Sequence, residues 1–469
     1  MTWVGGSVPA PSDEAPRRSS MRVWFENKWE DLRTSFWFIP TVMVLGSILL
    51  SFATIQLDKA TPAKNWVATF GWTFTRGPEG SRAVLSTVAG SMMTIASVTF
   101  SITVVALQLA SSQFGPRLLR NFMRDKGHQV SIGTFIATFT YCLLVLRTVN
   151  GTENETFVPH ISVTVGLLLA MLSLGVFIYF IHHSASSIQA ENVISGVSRE
   201  LNRAIGRLYP QPAGHEWPAS SRGAAGLPAG FERNSKGLAS ACSNDLQAID
   251  LDSLLHLAEA RDVVIEVLGR PGKFFFEGEG LARVWPADRV DDDLAGDIRG
   301  HFYFVHRRTS TQDVEFSVAQ LVEVAVRALS PGINDPTTAM SCVDRLGASI
   351  CTLTGRSIPS PERHDDQGHL RILAASSTAS GIVDACFNQI RQAARKDTSV
   401  TMRLLETIAV VARLSKDPQV LGALRRPAEA IRRGAQGGLD DPSDLADAEE
   451  RYREAAEALD LNSEGGPIR

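Results

Sequence analysis

The stretch AVLSTVAGSMMTIASVTFSITVVALQLA, residues 83–110, contains 28 residues and no charged side chain. A helix of that length is about 42 Å long and exceeds the hydrocarbon layer of a bilayer, which is about 30 Å thick. It must therefore tilt or project beyond that layer. Further apolar stretches occur at 36–57, 130–149 and 160–181. Because only backbones that satisfy their own hydrogen bonds are stable in lipid, the sequence predicts four transmembrane helices.

The second predicted span carries a stripe of small and polar side chains that recur at the helical period. The stripe consists of Thr87, Gly90, Ser91, Thr94, Ser97, Ser101, Gln108 and Ser112. Small residues at such spacings let neighbouring helices approach closely, which favours a packing face. Alternatively, the hydroxyls and the amide line a water-filled path. The two interpretations are compatible if an oligomer packs around a pore.

Charged and metal-binding side chains are scarce in the predicted spans. No Asp, Glu or Lys lies deep in any of them. Intramembrane charge usually marks proton or ion coupling, so a proton-driven pump is disfavoured and a passive channel or a structural bundle remains. His182 and His183 follow the fourth span, but neighbours on a helix point about 100° apart and do not easily share one ion. We expect no metal site there and assign the pair to the membrane edge.

Basic residues are distributed unevenly around the predicted spans. They concentrate at 17–33, 117–126 and 199–207, whereas the turn NGTENETF after the third span has none. Since basic flanks favour the cytoplasm, the sequence predicts a multi-pass protein with both termini cytoplasmic.

The turn after the second span contains a basic face, because Arg117, Arg120 and Arg124 recur at helical spacing. We interpret this face as a contact for anionic lipid headgroups. The alternative is that it guards a pore mouth and favours anions.

Bulk composition excludes several classes of function. The net charge of −4 and the absence of a compact basic block argue against a nucleic-acid partner. The five scattered cysteines include no C-x-x-C pair and indicate neither a disulfide framework nor a zinc site. There is no G-x-S-x-G, P-loop, G-x-G-x-x-G or H-E-x-x-H motif, so we expect no cofactor and no metal, and an enzyme is the least favoured class.

The predicted fold is mainly α, with a four-helix transmembrane bundle followed by a cytoplasmic α+β domain and a helical C-terminal region. In the α+β domain, FFFEGEG and LARVWP are predicted to form a hairpin, and Leu370–Ala394 beyond it to form an amphipathic helix. The predicted segments are a leader with a possible interfacial helix (1–35), the transmembrane domain (36–181), a helical stalk (182–209), a linker (210–233), the α+β domain (234–308), the helical domain (309–459) and a tail (460–469).

A candidate ligand loop lies around a predicted helix–turn–helix in the C-terminal part of the chain. Thr309 and Gln312 have capping-box spacing, and Asp335 precedes Pro336 as an N-cap precedes the first helical position. Good caps explain most of this segment. Because helix N-termini also hold anions, a ligand site is the second interpretation. Its residues are Arg307, Arg308, Gln312, Asp313, Asn334, Asp335 and Thr337.

Two passages resemble the signatures of a family of predicted bacterial integral membrane proteins classed as a domain of unknown function. They are SVTFSITVVALQLASSQFGPRLLRNFMRD at 97–125 and QDVEFSVAQLVEVAVRALSPGINDPTTA at 312–339. With the spans, the resemblance covers about 22–414. It implies a protein of the bacterial cytoplasmic (inner) membrane with this layout, and it implies no activity and no site residues.

Two functions remain open. The first is a homo-oligomeric channel or passive transporter, lined by the second span and gated by the cytoplasmic part. The second is a membrane-anchored sensing or scaffold protein, whose bundle only dimerises and whose cytoplasmic part binds a ligand or partner. In both cases the expected partners are the lipid bilayer and further copies of the chain.

Overall fold

The structure is a computed structural model that describes residues 36–60, 77–118, 122–123, 125–152, 155–210, 226–305, 308–357 and 359–463. These residues form two compact units that divide between Asn192 and Val193. The predicted interfacial helix in 1–35 and most of the predicted linker lie outside the described residues.

Four helices of the first unit are long and apolar enough to cross a membrane, which confirms the predicted spans. They are α1 (Phe38–Ala60), α2 (Pro78–Phe114), α3 (Lys126–Leu146) and α4 (His160–Ser187). At 37 residues, α2 is longer than the apolar stretch that predicted it. It begins at Pro78, which suits the first helical position, and ends at Gly115, whose φ of 107° favours glycine.

Helix α3 is the centre of the first unit, because α1, α2 and α4 all pack against it. The Tyr141 side chain is completely buried, and its hydroxyl lies 3.0 Å from Thr54 Oγ1 of α1 and 3.0 Å from the Ser162 carbonyl oxygen of α4. Thr138 and Ser173 form another buried contact between α3 and α4, with their hydroxyls 3.0 Å apart. Polar contacts thus link three of the four helices inside the apolar bundle.

The end of α1 caps the start of α4. The Asp58 carboxylate accepts hydrogen bonds from the backbone N–H groups of Ile161 and Ser162, each at 2.9 Å, and from the Ser162 hydroxyl at 2.6 Å. The α4 N-cap residue, Pro159, supplies no side-chain hydrogen bond of its own. Asp58 therefore replaces the missing cap from a neighbouring helix, where a negative charge also suits the helix dipole.

Two short strands and one further helix belong to this part of the chain. Strands β1 (Asn150–Thr152) and β2 (Glu155–Phe157) pair antiparallel between α3 and α4. Residues 182–187 of the predicted stalk are the end of α4, and the rest of the stalk is mainly helix α5 (Ala190–Leu208), which begins after a break at Ile188.

The second unit contains two sheets, with strand orders β3-β7-β5-β10-β9 and β6-β4-β8. The strands are β3 (Lys236–Ala239), β4 (Asn244–Ile249), β5 (Val264–Val267), β6 (Phe274–Phe275), β7 (Gly280–Trp285), β8 (Phe302–Val305), β9 (Glu362–His364) and β10 (Leu370–Ala374). Leu254 of α6 (Leu251–Ala260) and Leu294 of α7 (Asp292–Gly300) join the buried core of these sheets.

Two predictions for this unit were wrong. The predicted hairpin does not form, because β6 pairs with β4 while β7 pairs with β3 and β5 in the other sheet. Residues 370–374 form strand β10 and not the start of a helix, since alternate residues are buried and Ile372 pairs in parallel with Ile265 of β5. The five-stranded sheet therefore crosses the predicted domain boundary at residue 308.

The rest of the second unit is helical, in agreement with the predicted fold class. Its helices are α8 (Val314–Ala328), α9 (Pro336–Thr354), α10 (Ala379–Ala393), α11 (Thr398–Leu414), α12 (Pro418–Gln436) and α13 (Pro442–Ser463).

Candidate functional sites

The polar stripe lies on the outer face of α2. Every residue of the predicted stripe is exposed at the surface of the single chain. The opposite face of α2 is buried against the bundle through Leu85, Ala89, Met92, Ala96, Thr99, Thr103, Ala106, Ala110 and Phe114. A Cβ atom added at Gly90 would meet no heavy atom within 4 Å. The packing of the described residues therefore leaves the stripe uncovered.

The stripe residues differ in their hydrogen bonding. Thr87, Thr94 and Ser97 donate to backbone carbonyl oxygens of their own helix at 2.7, 3.1 and 2.9 Å. Ser101 and Gln108 make no such bond within the described part of the chain. The first three hydroxyls are satisfied even in lipid, whereas the last two still require a partner.

Only one member of the predicted basic face is described. Arg117 is exposed just beyond α2, and Arg120 and Arg124 lie outside the described residues.

A cluster of metal-ligating side chains lies where the start of α3 meets the end of α4. It contains Asp125, His128 and His183, whose ligand atoms lie within 4.8 Å of one another. Asp125 is the N-cap of α3, and its Oδ1 accepts from the Gly127 N–H at 2.7 Å. His183 Nε2 lies 2.8 Å from the same oxygen, and His128 Nδ1 lies 3.5 Å from it.

The electrostatics of this cluster favour the ionised carboxylate. Burial alone would raise the pKa of Asp125, but its interactions with His128 and His183 outweigh burial and hold the pKa well below its usual range. His182, the other member of the histidine pair, is exposed and is not part of the cluster. Sequence reasoning thus missed Asp125 and His128; the Asp-x-x-His spacing at the start of the third span was the available signal.

The candidate ligand loop is divided between the two ends of α8. Arg308 binds Asp313 Oδ2 at 2.6 Å before the helix, whereas Asn334, Asp335 and Thr337 lie beyond its end. Fifteen residues of helix separate the two groups by about 22 Å, so they do not form one site. Arg307 lies outside the described residues.

The caps in this loop explain several of its polar residues. Asp313, and not Thr309 with Gln312, caps α8 by accepting from the Phe316 N–H at 3.1 Å. Gln312 instead bonds to the backbone of Ile249 in β4. Asp335 caps α9 ahead of Pro336, as predicted. Burial raises the pKa of Asp313 in spite of Arg308 beside it.

A second polar network lies around Arg270, which the sequence did not single out. Its guanidinium binds both carboxylate oxygens of Glu315, one of them at 2.9 Å, and donates to Ser377 Oγ at 2.7 Å. The hydrogen bond to Glu315 raises the pKa of Arg270, and burial raises the pKa of the neighbouring Tyr209. The network connects the loop after β5 to the start of α8 and to the loop before α10.

The four apolar helices and their packing place the chain among multi-helix membrane proteins with a large additional unit. Residues 33–410 match the family described as "Predicted membrane protein (DUF2254)", and the chain belongs to that family, as the two signatures indicated. Similar proteins include the uncharacterized protein Rv1290c of Mycobacterium tuberculosis and the uncharacterized protein Mb1321c of Mycobacterium bovis. Each is 30% identical over 421 residues, which cover 88% of this chain and 79% of the relative. No solved structure matches the chain.

Proposed function

We propose that the protein is a homo-oligomeric channel or passive transporter of the bacterial cytoplasmic membrane, with a path lined by the stripe on α2. The observation that carries the proposal is the orientation of that stripe: the whole stripe faces away from the bundle. Polar groups left facing lipid cost free energy, and none of the described helices covers them. Further copies of the chain, arranged with closed symmetry, bring the stripes together.

The shape of the stripe also suits assembly. Gly90 and the serines present little volume, so helices of neighbouring copies can approach closely. The side chains of Ser101 and Gln108, which make no hydrogen bond to any described residue, then face water or each other. Both termini lie in the cytoplasm in this proposal, in keeping with the basic residues near Arg117. Reporter fusions at each terminus test that orientation, and a periplasmic C-terminus refutes it.

The first experiment tests assembly. Ser97→Cys should give disulfide-linked dimers on oxidation of the full-length protein in lipid, because the stripes of two copies face each other. Phe100→Cys is the matched control, since Phe100 is 47% exposed on the same helix but outside the stripe. The unsubstituted chain reports any background from its own five cysteines. Equal crosslinking of the two variants refutes assembly through the stripe.

The second experiment tests conduction. Liposomes containing the protein are loaded with small ions and neutral solutes, and efflux is measured for Ser101→Leu, Gln108→Leu and the control Phe100→Leu. Leucine at the stripe replaces a polar wall with an apolar one, so flux should fall at least about tenfold, which corresponds to a barrier only about 1.4 kcal/mol higher. The control should keep its flux. Unchanged flux in both stripe variants at equal insertion refutes the conducting path.

A membrane-anchored sensing or scaffold protein is the second candidate, and the Arg270 network favours it. A bidentate Arg–Glu pair with a buried tyrosine beside it is a fixed, charged arrangement that a ligand or partner can perturb. The liposome assay separates the candidates. An intact oligomer that conducts no tested solute supports the scaffold, whereas flux that Ser101→Leu abolishes refutes a purely scaffolding role.

A further inference from the structure

We propose that Asp125, His128 and His183 bind a first-row divalent metal ion, with Zn²⁺ as the best fit, and that the ion ties α3 to α4. The donor set consists of two imidazoles and one carboxylate without a thiolate. That combination suits Zn²⁺ and other late first-row divalent metal ions. It is unsuitable for Ca²⁺ or Mg²⁺, which require mainly oxygen ligands. The proposal is independent of transport.

The distances are close to those of a tetrahedral site. Zn²⁺ lies about 2.0–2.2 Å from nitrogen or oxygen ligands, so two tetrahedral ligands lie about 3.4 Å apart. His183 Nε2 and His128 Nδ1 lie 2.8 and 3.5 Å from Asp125 Oδ1, and all three ligand atoms fall within 4.8 Å. To admit the ion, the side chains must rotate so that these separations reach about 3.4 Å. Three protein ligands leave the fourth position to water.

One ligand atom is buried and lacks a hydrogen bond. His128 is 2% exposed, and its Nδ1 has no hydrogen-bond partner although it points towards Asp125. A buried polar atom without a hydrogen bond is destabilising, and coordination of an ion offsets that cost. Asp125 has a second oxygen for the ion, because within the described residues all its hydrogen bonds involve Oδ1.

The surroundings hold the imidazoles in place. Tyr179 stacks on His183 with ring centroids 5.3 Å apart, and Phe180 meets the His128 ring edge-on at 5.6 Å. Gly127 leaves the space that the cluster needs, because a Cβ there would lie 2.5 Å from His183 Nε2 and 2.9 Å from Asp125 Oδ1. The glycine gives His183 access to the carboxylate, and the aromatic rings limit the orientations of both imidazoles.

The experiment is metal titration of the full-length protein in detergent after removal of metal by a chelator. Zn²⁺ affinity is measured by competition with a chromophoric chelator, and Co²⁺ serves as the spectroscopic probe. The wild type should bind one ion per chain and give the intense visible absorption of tetrahedral Co²⁺ without a thiolate charge-transfer band. His128→Gln and His183→Gln should each weaken binding at least about 100-fold, since even loss of a second-shell partner costs about 10- to 100-fold.

Matched variants distinguish metal coordination by the cluster from a purely structural contact between α3 and α4. His182→Gln should bind like the wild type, because His182 is exposed beside the cluster. Asp125→Asn keeps a good N-cap but should lose the ion, and Gly127→Ala should weaken binding by displacing His183. Zn²⁺ should raise the unfolding temperature of the wild type and of His182→Gln only. The proposal is overturned if the wild type binds no ion, or if His182→Gln weakens binding as much as His183→Gln.

Discussion

Replacement of Asp58 by alanine should loosen the first unit, because this single carboxylate caps α4 from the end of α1. It accepts two backbone N–H groups at 2.9 Å and the Ser162 hydroxyl at 2.6 Å. The substitution removes the carboxylate that caps α4. The N-cap residue of α4, Pro159, supplies no side-chain hydrogen bond in its place.

The expected magnitude follows from these contacts. Hydrogen bonds to a charged acceptor contribute about 1.5–3 kcal/mol each, and the charge adds about 0.3–1 kcal/mol through the helix dipole. The contributions are not additive, and water at the membrane edge restores part of the loss. The free energy of unfolding should therefore fall by about 2–4 kcal/mol for Asp58→Ala. For Asp58→Asn, which keeps one acceptor oxygen, it should fall by about 1–2 kcal/mol.

The assay is reversible unfolding of the full-length protein from mixed micelles by titration with SDS. Lys59→Ala is the control, because Lys59 is exposed next to Asp58, and such a change should shift stability by less than about 0.5 kcal/mol. Ser162→Ala should cost about 1 kcal/mol in the wild type and much less beside Asp58→Ala, because the two residues share one contact. An Asp58→Ala protein as stable as Lys59→Ala would refute the capping role.

Two further predictions concern the second unit. Gly347→Ala should lower the free energy of unfolding of this unit by about 1–3 kcal/mol, because the added Cβ would collide with Thr407 Cγ2 of α11. Adding Thr407→Ser removes that methyl group and should restore most of the lost stability. A double variant that is no more stable than Gly347→Ala would contradict this reasoning. Burial opposes ionisation of Asp365, but the hydrogen bonds that its carboxylate accepts from the His369 N–H and the Arg371 guanidinium outweigh burial. They keep the pKa of Asp365 below the usual 3.8. The stabilising contribution of the Asp365 carboxylate is therefore complete above about pH 4 and is lost as the pH falls further. Asp365→Asn should reduce the dependence of the unfolding free energy on pH below about pH 4. An unchanged pH profile would count against this role of Asp365.

The membrane helices were predictable because their signal is local. A long apolar stretch must be helical in lipid wherever it packs, so α1 to α4 follow from composition alone. The face that carries the stripe was also predictable, since helical periodicity groups Thr87, Ser97 and Ser101 on one side. Periodicity does not state whether that face points into the bundle or away from it, because this depends on which neighbours occupy the opposite side.

The missed features all depend on contacts between distant parts of the chain. Strand β10 follows from its pairing with β5, more than one hundred residues earlier, and LRILA by itself is compatible with a helix. The metal-ligating cluster joins Asp125 to His183, 58 residues later. The Asp58 cap likewise joins residues 103 and 104 positions apart. The cluster requires α3 to pack against α4, the cap requires α1 to pack against α4, and the strand requires its pairing with β5; sequence spacing specifies none of these.

The internal polar contacts also support the choice of α2 as the helix of the proposed assembly. Asp58 and Tyr141 link α1, α3 and α4 at one end of the bundle, and Asp125 links α3 to α4 at the other end. Between its ends, α2 directs its described side-chain hydrogen bonds to its own backbone, and apolar contacts through one face hold it against α3. A helix attached in this way can adjust its tilt at little cost in hydrogen bonds. Its outer, polar face is therefore the surface that the proposed assembly would use without disrupting the rest of the bundle.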